Sequence, residues 1–398
     1  MKVNKDSIIL KKLSVVIIIC LVHQQLFCQQ HDSIKIVDRY GQLIKAEFKS
    51  KIVSDEQMKQ DVIADKKYYA SLQPPSRDIY GGFPGSNKKL GLKATGFFHI
   101  EKLKDKPVLV DPLGNLYFSL GVNGVGYTGD TYTKIKGREN VYEWLPEFTQ
   151  NKHNPDYKFN PAYMNNQPDN FSFYVANRIR KNEQDFNKSN FYNESVTRLK
   201  KWGFTSEGGF SNTPSQTTVT FPQVGMLELP KHLITGASLY DVYRPGFEEE
   251  TIETFKNQGL AQKANDPVII GYFFGNELDY HQFKHIVPAK KASESATKKV
   301  LVDFLEKKYQ NIQLFNAAWQ TSYTTFGDLY ETLVPLITEK AADDMLDFFE
   351  IYLDQFYKIV ARAFRKLDAN HLLLGDRYFT PIMNDEQLRE KICRVAGK

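Results

Sequence analysis

Residues 267–278 have the sequence PVIIGYFFGNEL, an apolar, β-branched and aromatic run of strand length that ends in Asn276-Glu277. Such a run is typical of a strand buried on both faces, as in a parallel sheet covered by helices. These sheets carry their chemistry at the carboxyl ends of the strands. Because burying an unpaired carboxylate is unfavourable, Glu277 is a candidate catalytic residue. A helix cap or a solvated loop residue is the alternative.

Strand-like and helix-like segments alternate around this stretch. Helical spacing of apolar residues falls at 191–202, 245–264, 289–309 and 343–367. The predicted strands cover residues 117–125, 203–209, 223–229, 268–274 and 372–378. The alternation predicts α/β architecture, and we expect an incomplete (β/α)8-type TIM barrel with about five of its eight βα units. A smaller open sheet that is complete in itself is the alternative.

The chain before the predicted barrel is more polar. We expect residues 29–115 to form a small N-terminal segment that contains a β-hairpin, and residues 116–398 to form the partial barrel. A long insertion at 127–189, rich in Asn, Pro and Tyr, follows the first strand. In a β/α barrel such insertions build the substrate cleft on the catalytic face.

The N-terminus has the pattern of a secretory signal peptide. Clustered lysines precede an apolar stretch at 13–22 that is too short to span a bilayer. We expect residues 1–28 to be removed and the chain to be exported to the periplasm, cell surface or medium, without a transmembrane segment. Lipoprotein anchoring at Cys28 is the weaker alternative, because Phe27 is bulkier than such a site prefers.

Charge and cysteine content argue against several classes of function. The net charge of +5 falls to +2 without residues 1–28, and no basic run with interleaved aromatics favours nucleic acid. Only Cys393 lies clearly outside the signal segment, so no disulfide framework is expected. His281 and His285 lack the intervening Glu of a zinc-protease helix. The sequence has no phosphate-binding glycine loop or Gly-x-Ser-x-Gly elbow, and we expect neither a metal nor an organic cofactor.

Short segments spread along the chain form a joint pattern. In chain order they are DRYGQ (38–42), ATGFF (94–98), VDPLGN (110–115), FSLGVN (118–123), GRE (137–139), WLP (144–146), WGF (202–204), IGYF (270–273), NEL (276–278), NAAWQTS (316–322) and HLLLG (371–375). With them the chain resembles the retaining clan of β/α-barrel glycoside hydrolases, in particular the agarase-like family 50 and, more distantly, family 42 β-galactosidases. The order of the segments is more specific than any one of them.

The resemblance implies roles for the Asn-Glu pair. Glu277, at the end of the fourth strand, would act as general acid and then base, and Asn276 would hold the sugar 2-hydroxyl. Retaining hydrolysis also needs a nucleophilic carboxylate about 5 Å away, which the clan places on strand seven. We expect this nucleophile to be absent, because the sequence ends before that strand. Four carboxylates near strand ends could substitute for it: Glu207, Glu228, Asp279 and Asp376. For Glu207 and Asp376, binding of sugar hydroxyls or pairing with Arg377 is the alternative.

Four further residues are candidates for substrate binding. Asn123 ends the first strand, and Arg377 and Tyr378 lie near the end of the fifth. A buried ion pair and a core aromatic are the alternatives for these last two. Trp319 could stack on a sugar ring, with packing beneath a loop as its alternative.

The sequence therefore predicts an exported glycoside hydrolase that cleaves β-glycosidic bonds of a polysaccharide or oligosaccharide with retention. We expect its activity to be impaired by loss of the nucleophile region. The rival hypothesis is a catalytically inactive, carbohydrate-binding remnant of such an enzyme.

Overall fold

The computed structural model describes residues 35–126, 131–182 and 186–396. The predicted signal peptide, with Cys28, lies outside these residues. The strands are β1 (His99–Leu103), β2 (Lys106–Val110), β3 (Leu116–Tyr117), β4 (Gly121–Val122), β5 (Thr133–Lys134), β6 (Asn170–Phe171), β7 (Ser206–Glu207), β8 (Gln223–Met226), β9 (Ile269–Asn276) and β10 (Leu372–Arg377).

The helices follow the same chain order. The α-helices are α1 (Asp55–Ser71), α2 (Ser86–Leu90), α3 (Phe173–Asn182), α4 (Lys188–Lys201), α5 (Phe247–Asn257), α6 (Leu260–Lys263), α7 (Phe283–Ile286), α8 (Ala296–Tyr309), α9 (Ile312–Trp319), α10 (Glu339–Arg365), α11 (Thr380–Asn384) and α12 (Glu386–Ala396). Short 3-10 helices lie at Glu139–Val141, Pro155–Ala162, Met164–Asn166, Tyr280–Gln282 and Phe326–Leu329. Among the described residues, no helix is long and apolar enough to cross a membrane.

A five-stranded sheet in the order β10-β9-β8-β7-β4 carries the candidate site. Each neighbouring pair of these strands is parallel, so their carboxyl ends share one edge. The predicted α/β class is therefore confirmed. In the described part of the chain β4 and β10 do not pair with each other, and no closed barrel is formed.

β9 contains more buried residues than any other of these strands, and α10 packs against it. Phe274 of β9 makes edge contacts with Phe356 and Tyr357 of α10, at ring-centroid distances of 5.6 and 5.3 Å. The Thr338 side chain caps α10 by accepting the backbone N–H of Ala341 at 3.0 Å. Burying each such aromatic side chain contributes about 1.5–3 kcal/mol. This contact fixes the strand that presents Glu277.

Two helices are shorter than predicted, for reasons that lie in single residues. The expected helix at 245–264 divides into α5 and α6 at Gly259, whose φ of +79° ends the first helix. The expected helix at 289–309 begins only at Ala296, after the extended residue Ser295.

Three turns in the described residues share the pattern Asp-x-x-Gly-x. They begin at Asp38, Asp78 and Asp111, and in each the aspartate Oδ1 accepts the N–H groups two and four residues later, at 2.8–3.0 Å. The glycine of each turn has a φ between +84° and +87°, a region that disfavours other residues. The aspartate side chain thus supplies an acceptor to two backbone N–H groups of the turn and closes the turn locally.

The chain forms two compact units. One comprises residues 35–72 and the described part of 127–191, with Phe159, Phe171 and Val175 in its own buried core. The other comprises 73–126 and 192–396 and contains the five-stranded sheet.

Candidate active site

Glu277 follows the last residue of β9 and is exposed. Its φ is +56°, in the left-handed region that non-glycine residues rarely adopt. Its N–H donates a 2.7 Å hydrogen bond to the carbonyl of Arg377 on β10, which holds this conformation. The next helix begins only at Tyr280, and Asp279 stands at its N-cap position, so Glu277 is not a helix cap. The carboxylate is held by its backbone at the carboxyl edge of the sheet.

Asn276 and Arg377 face each other across β9 and β10. They are partners in the parallel pairing, and Nη1 of Arg377 donates a hydrogen bond to Oδ1 of Asn276. Because this bond occupies the amide oxygen, the amide Nδ2 is left to donate to another group. The sheet edge therefore carries an oriented donor one residue from the Glu277 carboxylate.

Asp376 is buried behind this edge. It is 5% exposed, and its Oδ2 accepts a 2.6 Å hydrogen bond from the Tyr280 hydroxyl. Burial raises the pKa of Asp376 to about 6, although the Tyr280 hydrogen bond and the Arg377 charge oppose part of this rise. Its side chain also fills the space beside Gly275. A Cβ added at residue 275 would lie only 2.8 Å from the Asp376 Cγ, so a larger residue there would clash. Asp376 is buried against Tyr280 and forms no ion pair with the Arg377 guanidinium, which corrects the expectation that it binds sugar hydroxyls or pairs with Arg377.

Tyr378 belongs to a tyrosine cluster. Its hydroxyl is hydrogen-bonded to the Tyr357 hydroxyl, and its ring centroid lies 6.3 Å from that of Tyr280. Burial raises the pKa of Tyr378. The Tyr378 hydroxyl is thus engaged with α10, as the core-aromatic alternative predicts. Of the two candidates near the end of β10, Arg377 is the one that contacts Asn276.

Glu207, at the end of β7, is enclosed by its own partners. It is 2% exposed, its Oε2 accepts a 2.9 Å hydrogen bond from the Tyr192 hydroxyl, and its Oε1 accepts one from Thr213. Burial raises the pKa of Glu207, and these hydrogen bonds offset part of the rise. Because both oxygens are occupied and shielded, Glu207 anchors the loop after β7. This placement corrects the expectation that it binds sugar hydroxyls or pairs with Arg377.

Asn123 lies just after β4, at the same carboxyl edge, and its side chain is exposed. Its Oδ1 lies so close to Gly208 that a Cβ added at residue 208 would clash with it. Asn123 therefore remains accessible to a ligand, and its predicted role in binding hydroxyls stays a prediction.

Phe210 was not predicted from the sequence. It is 51% exposed, has a φ of +63°, and the Arg377 guanidinium lies 5.1 Å from its ring centroid. The pattern that could have indicated it is Gly208-Gly209 directly after β7, followed by a large aromatic. Phe210, Arg377 and Asn276 thus form a contiguous group at the sheet edge.

Trp319 is fully buried, at 0% exposure. Its Nε1 donates a 2.8 Å hydrogen bond to Asp344, and its ring packs on Phe315 with centroids 5.2 Å apart. A side chain without an accessible face cannot stack on a sugar. The expectation that Trp319 binds substrate is therefore wrong, and the packing alternative holds.

The remaining candidate polar residues are exposed or contact other residues. Glu228 is exposed after β8, and Asp279 accepts a 2.7 Å hydrogen bond from Gln282. His281 lies 3.4 Å from Asp385, and His285 is exposed. Throughout the described ranges, no group of three or more His, Cys, Asp or Glu side chains is placed to hold a metal ion.

Comparison with known proteins shows sequence similarity to agarases. The chain is 26% identical over 381 residues to β-agarase B of Vibrio sp. (strain JT0107), a match that covers 85% of this chain and 39% of that protein. It is 22% identical to β-agarase A of the same organism, over 86% of this chain and 38% of that protein. The chain thus spans about two fifths of the length of these curated relatives. No protein-family model matches the chain.

Solved structures share the fold. PfGH50B aligns with a TM-score of 0.72 and 24% identity, over 91% of this chain and 57% of that one. An exo-β-agarase aligns with a TM-score of 0.73 and 22% identity, over 91% and 57% of the two chains. The predicted resemblance to agarase-like glycoside hydrolases is confirmed.

Proposed function

We propose that this chain is the acid/base-bearing part of an agarase-like glycoside hydrolase of family 50, which cleaves β-linked galactose-containing polysaccharides with retention. The observation that carries the proposal is the Asn276-Glu277 pair at the carboxyl end of a buried parallel strand, with Asn276 oriented by Arg377. The similarity to two β-agarases over most of the chain supports the substrate class.

The geometry suits general acid catalysis followed by general base catalysis. Glu277 would protonate the departing glycosidic oxygen and later remove a proton from the attacking water. The free Nδ2 of Asn276 would donate to the sugar 2-hydroxyl, an interaction that strengthens in the transition state. No metal or cofactor is needed for these proton transfers.

Retention also requires a nucleophile about 5 Å from the acid/base carboxylate. The family resemblance puts it on the seventh strand of an eight-stranded barrel, and we take the five-stranded sheet as five of those eight βα units. We assign the nucleophile to none of Glu207, Glu228, Asp279 and Asp376. Binding of the polysaccharide without cleavage is the rival function.

The division of the chain into segments is also a proposal. We propose residues 1–28 as an export signal, residues 29–115 as an N-terminal segment and residues 116–398 as the barrel part. An exported location would place the protein with its polysaccharide substrate.

The test compares the purified chain with its Glu277→Gln variant on agaro-oligosaccharides and aryl β-galactosides. The conservative change Glu253→Gln, on the exposed side of α5, is the matched control. We expect the chain to bind agaro-oligosaccharides, and any hydrolysis to disappear in E277Q while E253Q keeps it. Binding without hydrolysis would support the rival function, and the absence of both would remove the proposal.

A further inference from the structure

Phe210 is a large apolar side chain that lies half exposed at the carboxyl edge of the sheet. We propose that its ring is a stacking platform for one sugar unit of the substrate, next to Asn276 and Glu277. The inference rests on the proposed function and extends it, because it names a residue that sets affinity for a sugar adjoining the cleavage point.

The backbone at Phe210 is strained. A φ of +63° is unusual for any non-glycine residue and more so for an aromatic one. Such conformations persist only where the surrounding structure imposes them, and they concentrate at functional sites. The strain would be relieved by glycine, the residue that occupies the two preceding positions.

Hydrogen bonds on both sides of Phe210 impose this conformation. The Gly208 N–H donates to the Val122 carbonyl at 2.7 Å, and the Asn212 N–H donates to the Val125 carbonyl at 2.8 Å. The Ser211 hydroxyl donates to the Gly208 carbonyl at 2.8 Å and accepts the Val125 N–H at 3.1 Å. The loop is thus tied to the segment that follows β4, and the ring is presented by a fixed backbone.

The ring contacts Arg377, and half of the residue remains exposed. The Arg377 guanidinium lies 5.1 Å from the ring centroid, at a distance typical of a cation–π contact. The same guanidinium donates to Oδ1 of Asn276, so Arg377 links the ring to the residue proposed to hold the 2-hydroxyl. The 51% of Phe210 that remains exposed offers an apolar surface suited to the C–H face of a pyranose.

The test measures the affinity for agarohexaose by calorimetry in the Glu277→Gln background, where the probe is not cleaved. Loss of one stacking contact in Phe210→Ala is expected to weaken binding about tenfold. Phe210→Trp is expected to restore affinity to within about twofold of the parent, because a larger ring keeps the platform. Phe118→Ala removes an aromatic that is 63% exposed and is expected to leave affinity unchanged.

Phe210→Gly separates a binding role from a structural one. Glycine relieves the strain, so the Tm should stay equal or rise while affinity falls as in Phe210→Ala. A Tm that falls together with affinity in Phe210→Gly would mean that the ring supports the loop, and would overturn the platform. Equal affinity of Phe210→Ala and the parent would also overturn it. If the parent binds no agarohexaose, the proposed function fails first and this inference with it.

Discussion

The Nδ1 atom of His371 lies 2.6 Å from Oδ2 of Asp368, and both side chains are fully buried. The other ring nitrogen, Nε2, donates to the carbonyl of Asp266 at 2.8 Å. Asp266 precedes β9 and His371 precedes β10, so this group joins the amino ends of the two strands that carry Asn276 and Arg377 at their other ends.

Stability should depend on pH through this pair. Burial alone would lower the pKa of His371, but its hydrogen bonds to Asp368 and Asp266 outweigh burial and raise the pKa above 6.5. Burial alone would raise the pKa of Asp368, but hydrogen bonds from His371 and Asn370 outweigh it and lower the pKa below 3.8. The pair therefore stabilises the fold most between about pH 4 and 6.5. Its contribution is lost as pH rises through the folded His371 pKa or falls through that of Asp368.

The variant Asp368→Asn tests this pair. It leaves a buried imidazole without its counter-charge, and should lower the free energy of unfolding by about 3–5 kcal/mol near pH 5. The loss should be smaller near pH 8 than near pH 5, because the pair's contribution is lost as pH rises through the folded pKa of His371. Urea unfolding at both pH values measures the difference. An equal loss at both pH values would contradict the pH dependence expected of the pair.

Asp376→Asn is expected to stabilise the protein at neutral pH. The folded pKa of about 6 lies above the ordinary 3.8, so the buried carboxyl favours its protonated form and stability falls as pH rises between these values. The difference corresponds to about 3 kcal/mol. Asparagine keeps an acceptor for Tyr280 and removes the charge. Unfolding free energies from pH 3.5 to 7.5 should lose this slope in the variant, and an unchanged slope would contradict the assignment.

Glu277→Gly should be more stable than the parent and unable to catalyse. Its φ of +56° strains any L-residue, and glycine removes about 1–2 kcal/mol of this strain, offset in part by its greater entropy when unfolded. Glu277→Ala is the control, since it removes the carboxylate but keeps the strain. Denaturant unfolding of the two variants should differ in this direction. An alanine variant as stable as the glycine variant would show that the backbone there relaxes.

Trp319→Phe is expected to affect stability alone. It deletes the Nε1 hydrogen bond to buried Asp344, which should lower the free energy of unfolding by about 1–3 kcal/mol. The affinity for agarohexaose should not change, because no face of Trp319 is exposed. Urea unfolding and calorimetry measure the two effects. A weaker affinity at unchanged stability would restore Trp319 to the binding surface.

The order of elements could be predicted because short strand-like segments alternate with helical spacing, and the apolar run of β9 is the clearest of them. The position of Glu277 at a strand end followed from the same run. Strand lengths could not be predicted so well: β7 covers only Ser206–Glu207, because a turn begins at Gly209. The local pattern of apolar residues does not show over how many residues two neighbouring strands remain hydrogen-bonded.

The contacts of the candidate site were less predictable. The pairing of Asn276 with Arg377 depends on two register shifts between β9 and β10, which a single sequence does not reveal. The burial of Trp319 depends on how α9 packs against α10, since its partner Asp344 lies on that helix. Phe210 owes its exposure to hydrogen bonds from a segment more than eighty residues earlier.

The three Asp-x-x-Gly-x turns differ from the parallel sheet in when they can form during synthesis. Each closes within five residues, on a timescale of about 10–100 ns for short loops. Leu120 beside β4, in contrast, bonds to Thr205, 85 residues later. At about 5–20 residues per second, a ribosome needs roughly ten seconds to deliver that partner. The turns therefore fold as they emerge, while β4, the first strand of the five-stranded sheet, stays unpaired. This interval is the one in which a chaperone would matter most.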